Sequence, residues 1–193
     1  MPPLYQRIAQ PRSASAGDTP ILFENTILFF TYFCRKPVMK DFGKNEIIGI
    51  GILYPQHEEN MGTLWRSAMI FGVDFIFTIG KKFIKQTSDV YESYKSVPCF
   101  YYRNFEDFYD HLPYNCRLIG VEMNENAQKI EQYSHLAHCV YLLGSEHYGI
   151  PETVLKKCHQ VIQLPKGNYN VAMAGTIVLY DRYLKKELNY LQV

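Results

Sequence analysis

The sequence predicts an α/β fold: a mostly parallel sheet flanked by helices. Three observations lead there. Short apolar runs recur along the chain, at Ile47 to Leu53, Val73 to Ile79, Pro98 to Tyr102, Arg117 to Glu122, His138 to Leu143 and Gln160 to Leu164. Helical patterns alternate with these runs, as a parallel sheet with crossover connections requires. The first and fifth runs are nearly continuous in apolar residues, which suits strands buried on both faces.

The elements follow in order. Residues 1 to 20 carry Pro2, Pro3, Pro11, Pro20 and Gly17 and read as a tail. Ile21 to Cys34 is an apolar, aromatic extension, open to a strand or a short helix and to a packing role or a substrate-side or dimer-side one. Residues 1–44 are therefore set apart from a main domain over 45–193, with Lys36 to Lys44 as the link. Ile47 to Leu53 (IIGIGIL) suits a central strand, where Gly49 and Gly51 admit another backbone closely. These glycines are not a dinucleotide fingerprint, because both fall inside the strand and no third glycine opens the next helix.

Asn60 to Phe71 is helical, with Met61, Leu64, Trp65 and Ala68 on one face. Asn60 is placed as the N-cap and Gly72 as the stop. Arg66 falls about 140° around the helix from Met61, at ~100° per residue, so it is expected to point away from the buried face. After the second strand, Lys81, Lys82 and Lys85 interleave with Phe83 and Ile84. This is the best local basic patch and a candidate phosphate contact, although loop lysines serve solubility equally well. Asn104 is placed as the cap of a helix to Leu112, and Glu131 to Leu136 as a short helical stretch. His138 to Leu143 ends in Gly144-Ser145-Glu146, a strand end of the kind where ligands bind in α/β sheets. Pro151 to Cys158 is a helix with proline in its first turn. Asn170 to about Leu191 is the longest helix; its apolar residues cover more than one side, so it should face its own sheet and a second subunit.

Composition narrows the classes. Of 193 residues, 47% are apolar and 20% charged, ordinary for a globular domain that buries a core. A net charge of +1 is low for a free-standing nucleic-acid binder, so any RNA contact needs a local patch, a dimer or a partner. Most of the 16 Tyr and 12 Phe belong to the core. Cys34, Cys99, Cys116, Cys139 and Cys158 are odd in number and widely spaced. They point to no disulfide framework or zinc site and to a reducing, cytoplasmic setting. His135 and His138 have no third ligand nearby, so no metal is expected. No run approaches the ~18 apolar residues of a membrane span, so no membrane is expected either. Neither Gly-Lys-Ser/Thr nor Gly-x-Ser-x-Gly occurs, which counts against a P-loop enzyme and a serine hydrolase.

Three segments, taken together, carry a resemblance. They are Asn60-x-Gly62-x-x-x-Arg66-x-Ala68 with Phe71-Gly72, then Leu143-Gly144-Ser145-Glu146-x-x-Gly149 with Pro151, then Leu164-Pro165 with Asn170-Val171-Ala172 and Ala174. In this order, each at a strand end or helix start, they resemble the SpoU/TrmH-type RNA 2′-O-ribose methyltransferases of the SPOUT superfamily, from about Asp41 to Tyr183. The resemblance implies a C-terminal trefoil knot, a homodimer, S-adenosyl-L-methionine as cofactor and tRNA or rRNA as substrate. It implies Asn60, Arg66, Glu146 and Asn170 as catalytic residues. Gly144, Leu164 and Tyr169 would line the cofactor, and Arg66, Lys81, Lys82 and Lys85 would touch RNA. Guanidinium groups stay protonated at neutral pH, so the role expected of Arg66 is to orient the ribose hydroxyl and neutralise phosphate, with RNA phosphate or water taking the proton. Two departures stand in the third segment. Asn168-Tyr169-Asn170-Val171 replaces the family's usual Ser-Leu-Asn-Val, and only Lys166 and Gly167 separate it from Pro165. These departures support a second reading, an inactive relative that binds RNA or protein.

Overall fold

The computed structural model describes residues 46–83 and 92–190, with only the backbone for Asn189 and Tyr190. The expected N-terminal extension and Lys85 lie outside the described residues. Among the described residues, seven strands form one sheet: β1 (Ile47–Leu53), β2 (Phe75–Ile79), β3 (Cys99–Tyr102), β4 (Arg117–Val121), β5 (Gln128–Lys129), β6 (His138–Leu143) and β7 (Gln160–Gln163). Their order is β3-β2-β1-β6-β4-β7-β5, and every pairing is parallel. The six expected strands are all present. The seventh, two-residue β5 carries only Gln128 and Lys129, both exposed, so it leaves no apolar signature in the sequence.

The helices are α1 (Glu58–Ile70), α2 (Phe105–Asp110), α3 (Glu152–Leu155) and α4 (Val171–Tyr190). Each face of the sheet builds its own core. On one, Met61, Leu64 and Ala68 of α1 and Val178 and Leu179 of α4 pack on Ile50, Ile52, Tyr141 and Leu143. On the other, Phe105 and Phe108 of α2 and Val154 and Leu155 of α3 pack on Phe75, Phe77, Leu118 and Leu142. Alternate residues of β6 thus go to opposite cores, which is why that strand reads as continuously apolar. Gly49 and Gly51 make room for side chains of the neighbouring strand: a Cβ would lie 2.4 Å from the Phe75 ring and 2.5 Å from that of Phe77. Gly175 does the same for α4, where a Cβ would meet Leu64 at 2.6 Å and Leu143 at 3.0 Å.

Two helix expectations are corrected. The N-cap of α1 is His57, without a side-chain cap bond; Asn60 lies inside the helix, buried. The stretch expected to be helical from Glu131 shortens to one 3-10 turn, Ile130–Gln132. Asn104 caps α2 as expected, its side chain accepting from the Asp107 amide at 2.8 Å.

Below the core shared by α1 and α4 lies a polar cluster that no motif announced. Arg182 of α4, 7% exposed, donates through Nη1 to the Leu136 carbonyl at 2.6 Å and the Tyr141 hydroxyl at 3.4 Å. Its Nη2 lies 3.4 Å from Glu46 Oε2, which also pairs with Lys186 at 3.1 Å. His135 sits between the Tyr141 hydroxyl and Asp181 Oδ2, the latter at 2.8 Å, and burial drives its ring toward the neutral form against the pull of Asp181. Among the described residues no helix is long and apolar enough to cross a membrane, and no group of three or more His, Cys, Asp or Glu is placed to hold a metal ion.

Candidate active site

The sheet order locates the site. The chain runs outward from β1 to β2 and β3, then crosses to build the other half with β4, β6 and β7. Connections therefore diverge between β1 and β6, and the crevice beyond their carboxyl ends is where α/β sheets take ligands. The loops from Tyr54 to His57 and from Gly144 to Ile150 flank it.

Glu146 organises this crevice. Its Oε1 accepts from Asn60 Nδ2 at 2.6 Å, and its Oε2 from the Gln56 amide at 3.4 Å. Asn60 Oδ1 in turn accepts from Asn170 Nδ2 at 2.9 Å. Asn170 then turns its own Oδ1 to the amides of Ala172 (2.9 Å) and Met173 (3.3 Å), capping α4. Three residues separated by up to 110 positions thus form one relay from a carboxylate to a helix end. The bond from Asn60 to the Glu146 carboxylate is of the stronger kind, ~1.5–3 kcal/mol, and the neutral bond from Asn170 to Asn60 of the ordinary kind, ~0.5–1.5 kcal/mol; together they tie α1, α4 and the Glu146 loop to one another.

The loop carrying Glu146 is closed on itself. Ser145 and Gly149 exchange backbone hydrogen bonds of 3.3 and 3.0 Å, and Ser145 Oγ accepts from the Tyr148 amide at 3.2 Å. A Cβ at Gly144 would sit 2.4 Å from the Gly149 carbonyl carbon, so only glycine fits there. Gly149 has φ +61° and lies against Glu122, whose Oε2 accepts from the Ile150 amide at 2.7 Å. Glu122 is a structural partner of the loop that the motifs did not include.

Arg66 sits six residues beyond Asn60 on α1 and is half-buried, whereas Met61, Leu64, Trp65 and Ala68 of the same helix are buried. The bonds joining Asn60, Glu146 and Asn170 do not run through it. Lys81 reaches the rim: its Nζ donates to the Gln56 carbonyl at 3.2 Å and lies 4.0 Å from Glu58. Lys82 is exposed beside it. Phe83, expected to interleave with these lysines as a surface aromatic, is 3% exposed and belongs to the core.

A cavity of about 430 Å³ opens beyond the ends of β4, β5 and β7, lined by Met123, Lys129, Glu131, Gln163, Leu164 and Lys166. That volume falls in the ~300–1,000 Å³ range of small-molecule sites. Of the residues expected to hold a cofactor, Leu164 lines it and Gly144 and Tyr169 do not. Tyr169 is half-buried, and its ring lies over Gly167, where a Cβ would come within 3.1 Å of it. Met123, Lys129, Glu131 and Gln163 escaped sequence reasoning because they come from three separate strand ends.

The relay makes a prediction. Asn60→Asp preserves shape but replaces the donor facing Glu146 with a second carboxylate. Two carboxylates sharing a site raise one pKa. At neutral pH the pair is repulsive; as pH falls through the raised pKa, one side is protonated and a donor returns. The variant should therefore lose thermal stability against wild type at pH 8 and approach wild type at pH 5. A pH-independent difference in melting temperature would show that the Asn60 amide does not face Glu146.

Comparison with known proteins places the chain. The sequence profile of the "SpoU rRNA Methylase family" matches residues 49–180. A search of curated proteins finds no significant match. Among solved structures, the SpoU methyltransferase AviRb from Streptomyces viridochromogenes aligns with a TM-score of 0.68 at 17% identity, over 74% of this chain and 61% of that one. AviRb has also been solved in complex with the cofactor AdoMet. A structure described as giving insights into "2-OH methylation of C/U34 on tRNA" aligns with a TM-score of 0.65 at 18% identity, over 74% of this chain and 98% of that one. The A. aeolicus TrmH/SpoU tRNA modifying enzyme aligns with a TM-score of 0.65 at 18% identity, over 76% and 77%. The chain thus spans about three fifths of the AviRb chain. At these identities the likeness to solved structures establishes the fold. The family match covers more than half of the sequence and includes all three motifs, and by it the chain belongs to the SpoU rRNA methylase family.

Proposed function

We propose that this protein is an S-adenosyl-L-methionine-dependent RNA methyltransferase that modifies a ribose 2′-hydroxyl in tRNA or rRNA. The observation that carries this reading is the relay of Glu146, Asn60 and Asn170 across the β1–β6 crevice, which assembles residues from all three family motifs. Bound S-adenosyl-L-methionine would supply a methyl group already activated by its sulfonium. The chain then has to position the reactants, which in favourable cases contributes up to ~7–11 kcal/mol of barrier lowering. In this reading Arg66 holds the ribose or its phosphate and orients the hydroxyl, and RNA phosphate or water accepts the proton. Glu146 and Asn60 hold α1, and with it Arg66, in register. Asn170 fixes the start of α4. The cavity beside Leu164 fits the cofactor: Met123, Leu164 and Pro165 offer apolar contact, and Glu131 and Gln163 offer acceptors for hydroxyl or ammonium groups. Gly144 and Tyr169 flank its approach in this proposal. Lys81 and Lys82 lie at the rim for backbone phosphates; Lys85 is proposed with them from the sequence.

The trefoil knot, the homodimer, a cytoplasmic location and the division into an extension over 1–44 and a catalytic domain over 45–193 belong to the same proposal. The family match over residues 49–180 supports the division. Tyr180, Tyr183, Leu184 and Leu188, each at least 40% exposed on α4, support a dimer face. Sedimentation as a monomer at micromolar concentration would remove the dimer.

One observation favours the inactive relative instead: the Tyr169 ring folds over Gly167 within the shortened third motif. Calorimetric titration with S-adenosyl-L-methionine separates the readings. Micromolar binding is expected. A folded protein with no binding up to millimolar cofactor would leave the family fold without its chemistry.

A further inference from the structure

We propose that Tyr54 is a stacking platform for a nucleobase of the substrate RNA, at the rim of the crevice. The inference rests on the RNA-methyltransferase reading and adds to it a residue that none of the three motifs contains.

Tyr54 directly follows β1. Its backbone is left-handed, with φ +49°, a conformation uncommon for a bulky aromatic and found where the surroundings enforce it. The surroundings here are the turn that ends β2. The Tyr54 amide donates to the Ile79 carbonyl at 2.9 Å, and its ring lies across Gly80, where a Cβ would come within 2.2 Å of Cδ1. Gly80, itself at φ +85°, therefore presents bare backbone for the ring to lie on. One side of the ring is seated; Tyr54 as a whole remains 48% exposed. A core tyrosine would be covered, and a merely solvated one would not need a left-handed turn and an opposing glycine.

The position suits a base. Tyr54 lies two residues before Gln56, at most ~7 Å of chain. The Gln56 amide contacts Glu146, and its carbonyl accepts from Lys81. The platform thus stands beside the proposed reaction crevice, with Lys81 and Lys82 next to Gly80 in sequence for the backbone phosphates. Lys81 is shared with Glu58 at 4.0 Å, but both groups are exposed, so phosphate can compete for it. An aromatic face beside lysines, with Phe83 withdrawn into the core, is the arrangement that holds single-stranded RNA by stacking and charge.

The test uses the full chain and fluorescence anisotropy. The probes are a labelled oligoadenosine RNA of about twelve nucleotides and an abasic strand of the same length and charge. Wild type should prefer the adenosine strand. Tyr54→Phe should keep the preference, and Tyr54→Asn, which tolerates the left-handed backbone, should reduce it by about 5- to 150-fold. Tyr114→Ala, which removes a fully exposed tyrosine at the opposite end of the sheet, should leave it unchanged. If Tyr54→Asn melts early, Tyr54→Gly, free of left-handed strain, replaces it. A preference that survives in a folded Tyr54→Asn or Tyr54→Gly protein overturns the proposal and points to another aromatic such as Tyr148, 82% exposed on the Glu146 loop. Equal binding of both strands by wild type overturns it too, while leaving RNA as the substrate. Binding of neither strand removes the RNA reading and the platform together.

Discussion

Arg66→Ala is expected to slow methyl transfer to RNA by about 1,000-fold while changing the S-adenosyl-L-methionine dissociation constant by less than about twofold. The separation follows from where the parts lie. Arg66 is carried by α1, whose backbone is fixed on several sides. Asn60 is tied to Glu146, Ser67 Oγ meets Thr176 Oγ1 at 2.7 Å, and Met61 and Leu64 are fully buried. The cavity lies elsewhere, built from the ends of β4, β5 and β7. Removing the guanidinium should therefore take away contacts to the reacting ribose and leave the cofactor walls standing. Arg66→Lys keeps the charge but loses the planar fork, and should fall between the two. Single-turnover transfer from labelled cofactor, run beside calorimetry, reads both quantities. An Arg66→Ala enzyme at full rate would sink the assigned role. An equal loss of cofactor affinity would instead make Arg66 part of the cofactor site.

Arg182→Met should cost about 3 kcal/mol of stability, the lower end of ~3–5 kcal/mol for breaking a buried pair, because Glu46 is partly exposed and keeps Lys186. At ~2–4 °C per kcal/mol for a domain of this size, the melting temperature falls by about 6–12 °C. Methionine nearly fills the volume, so the loss comes from what the guanidinium served. The half-buried Leu136 carbonyl and the buried Tyr141 hydroxyl each lose a donor. Cofactor affinity should hold at temperatures where the variant is folded, since the cluster lies toward the amino ends of β1 and β6, away from the crevice. Thermal melts followed by circular dichroism decide it. A drop under about 2 °C would mean that the desolvation cost of the Arg182 guanidinium nearly cancels the gain from its contacts.

Much of this was legible in the sequence, for identifiable reasons. Ile47 to Leu53 and His138 to Leu143 announced themselves because strands covered on both faces leave few polar positions. Asn60 was harder. An asparagine before an apolar helical face satisfies the N-cap pattern, and the same side chain, one turn inside the helix, serves the site. Only partners 86 and 110 residues away distinguish the two. Phe83 misled for a related reason: an aromatic between lysines reads as surface, and nothing local says that it turns inward. Arg182 and His135 gave no signal, since their partners come from distant segments. The local chemistry of strands and turns is written along the chain, whereas the crevice is written across it.

The position of β1 has a consequence for how the protein is made. β1 is hydrogen-bonded to β2 on one side and β6 on the other, with Ile47 paired to His138, 91 residues later. Parallel pairing forbids any tight hairpin shortcut. At ~5–20 residues per second of synthesis, the strand IIGIGIL waits roughly 5–18 s before its second neighbour exists. For that time one edge of the most apolar strand stays open to other chains. The nascent protein is thus expected to be most aggregation-prone before His138 to Leu143 leaves the ribosome, and the same event that closes this edge delivers Glu146 to Asn60.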